Sequence, residues 1–276
     1  MRVVSVNVGL PREVVWRGKP VTTGIYKEPV AGRVPLRRTN LDGDRQADLR
    51  VHGGPEKAVY AYPSEFYELW SRERPELVFG PGTFGENLTT EGLLDGDVSI
   101  GDRFRFGTAE LVVTQPRLPC FKLGIKMGRE EFVTEFLERG LYGFYLAVAR
   151  EGDVEAGDPI VALSRDPHGF GVNELARLYV RDRNDVESMR RAAELDVLPE
   201  SWRNYFRKRM TYGRREAFRR RRVARLAPEI SRASSDSIAR PTSGQGASSS
   251  TGATRRSPTA PHSRRSGIAY VAAPGK

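Results

Sequence analysis

The segment Gln115-Pro116-Arg117-Leu118-Pro119-Cys120-Phe121-Lys122-Leu123 contains the only cysteine among 276 residues. A single thiol cannot form an intramolecular disulfide, so Cys120 packs as a small apolar side chain, acts as a nucleophile or ligates a metal. Positive charge at Arg117 and Lys122 stabilises a thiolate and favours chemistry over packing. Because the two prolines restrict the backbone, we expect a rigid loop that follows a strand from Ala109 to Gln115.

The surrounding chain, from residue 1 to about 165, predicts a mainly β (α+β) domain. Its start, Met1 to Gly9, alternates like a strand, and further β-branched and aromatic runs are separated by Gly, Pro and Asp. These runs are Ala58 to Tyr62, Val98 to Phe106, Ala109 to Thr114, Tyr142 to Ala149 and Pro159 to Leu163. Two amphipathic helices, Ser64 to Arg72 and Glu130 to Arg139, interrupt the strands. The pattern indicates a barrel or a folded sheet.

A shift in composition after Pro167-His168-Gly169-Phe170-Gly171 predicts a small helical domain over residues 172–225. Its first helix runs from Asn173 to about Val180, and its third begins at Glu200. The second begins at Asp185 after an Asn184 cap, with Glu187 completing a capping box. Each helix has one apolar face, so we expect the three to share a small core that covers one side of the β domain or shapes its entrance.

The formal charge of +10 is concentrated towards the C-terminal end. Arg219-Arg220-Arg221-Arg222 precedes a stretch, residues 228–276, that is basic, rich in Ser, Thr, Ala, Pro and Gly, and poor in core-forming residues. Such a composition predicts a disordered, dispensable tail. Contact of this basic tail with RNA or with a membrane remains an alternative.

Several classes of protein are excluded by the pattern of the sequence. No apolar run approaches the roughly 20 residues of a membrane helix, and the start lacks the apolar stretch of a signal peptide. With one cysteine, a reducing cytoplasm is the expected compartment. Neither a dinucleotide-binding glycine fingerprint nor a Walker phosphate loop occurs.

Three further segments contain candidate binding residues. Val51-His52-Gly53-Gly54-Pro55-Glu56-Lys57 places His52 and Lys57 around paired glycines, which permit close approach of an anion. Phe84-Gly85-Glu86-Asn87-Leu88 holds the polar pair Glu86 and Asn87, with an ordinary turn as the alternative. Gly43-Asp44-Arg45-Gln46-Ala47-Asp48 offers Arg45 to a phosphate, with a solvated loop as the alternative.

These residues do not have the spacing of a metal cage. His52, His168 and His262 are too scattered, and one thiol without a nearby ligand makes a poor zinc site. One thiolate with several anion-binding groups suits instead a metal carried inside a phosphate-bearing organic cofactor.

The His52, Glu86 and Cys120 segments, in this order, resemble the molybdenum cofactor sulfurase C-terminal (MOSC) domain, which places that domain at residues 1–165. The helical region, with Ser201-Trp202 and Arg207-Lys208-Arg209, resembles the YiiM-type branch with a C-terminal three-alpha domain. The resemblance covers roughly residues 1 to 225 and does not extend to the basic tail.

The resemblance implies a β-barrel-like fold that binds a molybdopterin-type cofactor, with Cys120 as the molybdenum ligand. It implies reduction of N-hydroxylated compounds such as 6-hydroxylaminopurine and amidoximes, and hence resistance to them. Arg45, Lys57 and Arg117 are then expected at the phosphate and pterin, His52 and Asn87 as hydrogen-bonding groups, and Glu86 as a proton donor. Cys120, Glu86 and His52 form the expected catalytic set.

Two other functions stay open at this point. One is a cofactor-binding or sulfur-carrying module without reductase activity, although the chain has no room for a pyridoxal-phosphate domain. The other is a nucleic-acid-binding module that uses the basic end. Since the sequence has no flavin, haem or iron–sulfur motif, the enzyme hypothesis requires an external electron-donating reductase. The sequence leaves the physiological substrate and the oligomeric state open.

Overall fold

The computed structural model describes residues 1–49 and 52–211. The predicted disordered tail at residues 228–276, and the part of the predicted helical domain after residue 211, lie outside the described residues.

The fold is built on short strands, some of which alternate buried and exposed side chains, as the strand Arg103–Phe106 does. In chain order they are β1 (Arg2–Val8), β2 (Arg12–Trp16), β3 (Lys19–Thr23), β4 (Glu28–Val30), β5 (Val34–Leu36), β6 (Val59–Pro63), β7 (Leu88–Glu91), β8 (Arg103–Phe106), β9 (Ala109–Pro116), β10 (Phe144–Arg150), β11 (Gly152–Val154) and β12 (Ile160–Ser164).

Eight of these strands form one sheet in the order β12-β8-β9-β10-β6-β7-β1-β4, and β5 with β11 and β2 with β3 form two smaller pairs. Neighbours in the large sheet are antiparallel except β6 and β7, which are parallel. The mainly β prediction is therefore confirmed, and five of the runs named from the sequence correspond to β6, β8, β9, β10 and β12.

The large sheet does not close into a barrel. Its edge strands are β12 and β4, and within the described chain they do not pair with each other. A single bridge between Arg2 and Pro159, with a hydrogen bond of 3.0 Å from the Ile160 amide to the Met1 carbonyl, connects β1 to the entry of β12. Of the two predicted architectures, the folded sheet is the one that forms.

Helices flank the sheet, and none of those described is long and apolar enough to cross a membrane. They are α1 (Glu65–Glu73), α2 (Phe121–Met127), α3 (Glu131–Arg139), α4 (Val172–Val180), α5 (Val186–Glu194) and α6, which covers residues 200–211. Single 3₁₀ turns lie at Pro55–Lys57 and Asp95–Asp97.

Two local predictions from the sequence are wrong. The run from Val98 to Phe106 is a strand only from Arg103, because the Ile100 amide donates to the Phe170 carbonyl and Gly101 has a φ of +95°, which turns the chain. The cap of α5 is Asp185 rather than Asn184, since the Asp185 carboxylate accepts the Ser188 amide at 3.0 Å.

An aromatic core fixes α1 and α3 to the sheet. Trp70 of α1 stacks on Phe136 of α3 at 5.9 Å between ring centres and donates its indole N–H to the Tyr62 hydroxyl at 2.9 Å. Phe84, in the loop before β7, lies 4.4 Å from the Tyr62 ring. All four rings are buried. The Phe84 loop is thus held rigidly beside β6.

The helical region shares one core, as its apolar faces predict. Trp202 and Phe206 of α6 are fully buried, and the Trp202 ring lies 5.0 Å from Tyr179 of α4. The region also packs on the large sheet, since α4 contacts β9 and the Trp202 indole donates to the Gln115 side chain.

Asp95 joins the turn before β8 to the start of β10, and its burial makes stability depend on pH. One carboxylate oxygen accepts the amides of Tyr142 and Gly143, at 3.0 and 2.9 Å, and the other has no partner in the described structure. Burial raises the pKa of Asp95 to about 7. The pKa of an aspartate in the unfolded chain is near 4. Between that pH and about pH 7, Asp95 is protonated in the folded protein and ionised in the unfolded chain, so the free energy of unfolding falls as the pH rises.

We therefore expect Asp95→Asn to increase the free energy of unfolding at pH 8 by on the order of 2 kcal/mol, because the amide keeps the acceptor and removes the charge. The gain should shrink towards zero as the pH falls to 4. Denaturant unfolding across this range measures it. Asp97→Asn, at an exposed residue of the same turn, is the control and should have little effect; a gain that persists at pH 4 would contradict the assignment.

Candidate functional site

One cavity collects the segments singled out in the sequence. Six of the predicted site residues line it: Arg45, His52, Lys57, Asn87, Arg117 and Cys120. The wall is completed by residues that are far apart in the chain, namely Thr23, Gly24, Ile25, Lys27, Asp44, Gln46, Ala47, Tyr60, Phe84, Gly85, Leu118, Lys122 and Tyr145. The fold thus brings the four candidate segments to one place.

Cys120 and His52 lie side by side in this cavity. The half-buried Cys120 ends the loop after β9 in extended conformation, directly before α2, and its Sγ lies 3.6 Å from His52 Nε2. Burial, reinforced by the charges of Lys122 and Arg117, lowers the pKa of His52 to about 4. His52 is therefore neutral near pH 7 and leaves one ring nitrogen as an acceptor.

Arg117 brings a buried positive charge to the cavity wall. The residue is 5% exposed, and its guanidinium carbon lies 5.3 Å from the ring centres of both Tyr60 and Phe136. Nη2 donates to the Phe84 carbonyl at 3.3 Å, whereas Nη1 has no hydrogen-bond partner and no carboxylate pairs with the group in the described chain. An unpaired buried charge is costly, so this site favours an anionic ligand.

Further cations reinforce that preference. Arg45 is exposed at the cavity, and Lys57 and Lys122 are half-buried in its wall. Asp44 is the acidic residue of the lining, and it is paired with Lys27. The lining therefore carries a net positive charge that attracts phosphate or another anion.

Asp44 connects three segments of the chain at the cavity wall. Its carboxylate pairs with Lys27, accepts the Gly9 amide at 3.0 Å and accepts Asn87 Nδ2 at 2.9 Å. Burial lowers the pKa of Lys27, and the charge of Asp44 opposes that shift. The loop that carries Arg45 is thereby fixed against β1 and β7.

Asn87 lines the cavity, but its amide is used by the protein. Its Oδ1 accepts the Tyr60 amide at 3.1 Å, and its Nδ2 donates to Asp44 and, at 3.4 Å, to the Asn7 carbonyl. The predicted hydrogen bond from Asn87 to a cofactor does not fit these contacts. Asn87 instead holds β6 and the Arg45 loop in place.

Asp44→Asn should destabilise the protein by about 3 kcal/mol, because it leaves the buried Lys27 ammonium without a counter-charge. Asp42→Asn is the matched control, since Asp42 forms an exposed pair with Arg37 and should change stability by less than about 1 kcal/mol. Urea unfolding of both variants measures the difference. Similar small losses for the two would show that the Lys27–Asp44 pair is not needed.

Glu86 is placed differently from the expectation. It is fully buried and does not line the cavity; its carboxylate accepts the amides of Gly82 and Phe84, at 2.6 and 2.9 Å, and the Tyr67 hydroxyl. Burial raises the pKa of Glu86. The expected role as proton donor in the pocket does not fit this position, and Glu86 instead closes the turn that brings Phe84 and Gly85 to the cavity.

Several lining residues were not identified from the sequence. Tyr60 and Tyr145 are strand residues whose pattern indicates only β structure, and Lys27 lies in a loop without a motif. Asp44 could have been identified from the sequence, because it directly precedes the candidate residue Arg45.

The fold and the cavity together define a class of cofactor-binding protein. A mostly antiparallel sheet presents one thiol in a cationic cavity, and within the described ranges no three His, Cys, Asp or Glu residues converge on a metal site. This donor set suits an anionic cofactor that carries its own metal and takes one protein ligand.

Comparison with known proteins agrees with this class. The MOSC domain matches residues 48–161, and the YiiM-like 3-alpha helix domain matches residues 172–211. Protein YiiM of Escherichia coli is 37% identical over 74% of this chain and 91% of its own length. The crystal structure of YiiM from Geobacillus stearothermophilus has a TM-score of 0.64 at 35% identity, covering 76% of this chain and 98% of that one.

The chain belongs to the MOSC family, in its YiiM-like branch. MOSC domains are associated in general with binding of the molybdenum cofactor. A more distant relative, 34% identical over 66% of this chain, is named a reductase in Gibberella moniliformis; the match spans 32% of that protein.

Proposed function

We propose that this protein is a molybdenum-cofactor-dependent reductase of N-hydroxylated compounds, with Cys120 as the ligand of the metal. The observation that carries the proposal is that the single thiol, Cys120, and the buried guanidinium of Arg117, which has no carboxylate partner among the described residues, line the same cavity. A thiolate is a soft ligand that suits molybdenum, and the unpaired Arg117 suits the phosphate of a molybdopterin. The reductase name of the distant relative supports the reaction type.

The residues of the chain would share the work of holding the cofactor. Arg117 and Lys57 would bind its phosphate from the wall, and the exposed Arg45 would contact it from the rim. Asn87 and Asp44 would act indirectly by fixing the Arg45 loop. Tyr60 and Tyr145 supply apolar surface beside the charged groups.

The bound metal would supply the two-electron chemistry of the reduction. Overall, an N–OH group, two electrons and two protons give N–H and water. His52 is the residue placed to move a proton, because its imidazole is neutral and lies at 3.6 Å from the thiol sulfur.

The proposal includes an external electron donor and a cytoplasmic location. We propose a separate reductase as the source of electrons, because one cysteine cannot bind an iron–sulfur cluster and the printed sequence carries no flavin or haem motif. Substrates would be small N-hydroxylated molecules, including base analogues, and their removal would confer resistance to them.

The deciding experiment is anaerobic reduction of the purified, cofactor-loaded protein followed by addition of 6-hydroxylaminopurine or benzamidoxime. We expect reoxidation with formation of adenine or benzamidine. Molybdenum near one atom per chain without turnover would favour instead a cofactor-carrying module. A metal-free protein that binds RNA would favour the nucleic-acid alternative, for which the described residues give no specific support.

A further inference from the structure

One hydrogen bond connects the helical region to the strand that leads to Cys120. The indole N–H of Trp202, in α6, donates to Gln115 Oε1 at 2.6 Å. Both side chains are buried, with 0% and 1% of their surface exposed. Gln115 lies in β9, five positions before Cys120. A short bond between buried neutral groups is worth most where no water can replace it.

The other end of the Gln115 amide reaches the turn that carries Lys57. Its Nε2 donates to the Glu56 carbonyl at 3.4 Å, and the neighbouring Thr114 hydroxyl donates to the same oxygen at 2.6 Å. Glu56 lies in the 3₁₀ turn Pro55–Lys57. The Trp202 donor and the Glu56 acceptor therefore define which way the amide points, because only Oε1 can accept and only Nε2 can donate.

The strand of Gln115 leads to the thiol loop, and both this loop and the Lys57 turn form part of the cavity wall. Beyond Gln115, the chain continues through Arg117, whose amide donates to the Gly143 carbonyl at 3.1 Å, to Cys120. The Thr114 hydroxyl oxygen also lies 3.1 Å from the carbonyl of Tyr145, a lining residue. A shift of Gln115 would therefore be transmitted to both the thiol loop and the Lys57 turn.

We propose that Trp202 is a positioning residue, which sets the Cys120 loop and the Lys57 turn through the side chain of Gln115. The helical domain is then part of the site's architecture rather than an appendage. This inference concerns the arrangement of the cavity, and only its effect on molybdenum content rests on the proposed function.

The single thiol makes the test direct, because any thiol reagent reports on Cys120 alone. The full-length chain, purified without cofactor, is treated with 5,5′-dithiobis(2-nitrobenzoate), and the rate of release of thionitrobenzoate is measured. Trp202→Phe keeps an aromatic ring in the core and removes the donor. We expect this variant to react about fivefold faster than wild type, as the loop loses one buried anchor.

Phe206→Leu is the matched control, because Phe206 is equally buried in the same helix and packs on Trp202 at 6.1 Å, and no side-chain hydrogen bond is available to its ring. It should lower the melting temperature without raising the thiol rate. Equal acceleration in both variants, or none in Trp202→Phe, would overturn the proposal.

Gln115→Met tests the route of the effect. It should accelerate the thiol reaction by itself, and adding Trp202→Phe to it should give no further increase, since both changes remove the same connection. If the two substitutions accelerate the thiol reaction independently, so that their effects multiply in the double variant, the effect of Trp202 is not transmitted through Gln115. If wild type binds no molybdenum, the proposed function fails while these rates still decide the inference; if it binds molybdenum, Trp202→Phe should lower the content and Phe206→Leu should not.

Discussion

Replacing Cys120 with serine is expected to remove nearly all bound molybdenum and all reductase activity while the protein stays folded. The thiol is half-buried and its recorded contact is with His52, so a hydroxyl of similar size costs little stability, within about 1 kcal/mol. A hard hydroxyl is a poor substitute for a soft thiolate as a ligand of molybdenum. Metal analysis, activity and thermal unfolding of the same preparation measure the three quantities.

Phe121→Leu is the control for this substitution, because Phe121 is adjacent, 46% exposed and absent from the cavity lining. It should keep wild-type molybdenum content. A Cys120→Ser protein that retains both metal and full rates would show that the metal is held elsewhere or that the enzyme hypothesis is wrong.

Replacing Arg117 with methionine should have opposite effects on binding and on stability. Loss of a charge-assisted contact to phosphate should weaken cofactor binding by about 10- to 100-fold. The cofactor-free protein should be as stable as wild type or more stable, because an apolar side chain replaces a buried charge that has no carboxylate partner. Molybdenum content and denaturant unfolding of the cofactor-free form measure the two effects.

Arg117→Lys separates charge from geometry, since lysine keeps the charge and loses the planar donors. It should bind cofactor more weakly than wild type and more strongly than the methionine variant. Arg105→Met, at an exposed position of β8, should change neither quantity. A methionine variant with unchanged molybdenum content would move the anion site away from Arg117.

The sequence predicted six of the eight strands of the large sheet, because these strands lie in apolar or alternating runs. The strand before Cys120 and the two amphipathic helices α1 and α3 lie within a few residues of their predicted positions. It did not predict the β2–β3 hairpin, β4, β5, β7 or β11, which are short or exposed on both faces. It also missed α2, whose start directly after the proline-rich loop has no capping side chain.

For the site, the sequence identified residues with distinctive chemistry and could not assign their partners. Asn87 and Glu86 looked like ligand-binding groups because they are polar and follow a glycine, whereas the structure uses them for hydrogen bonds to the backbone and to Asp44. Such pairings join residues up to 80 positions apart. No local pattern encodes them, since they depend on the order of strands in the sheet.

That strand order has a consequence for the kinetics of maturation. β1 pairs with β7, and β6 pairs with β10, so the walls of the cavity meet only after long loops have closed. Closing such loops costs chain entropy before the stabilising contacts form. These pairings therefore form late and slow the folding of the protein. The cationic pocket therefore does not exist on the nascent chain. Under the proposed function, we expect the cofactor to bind only after the sheet has formed, so that newly made protein passes through a folded, empty stage.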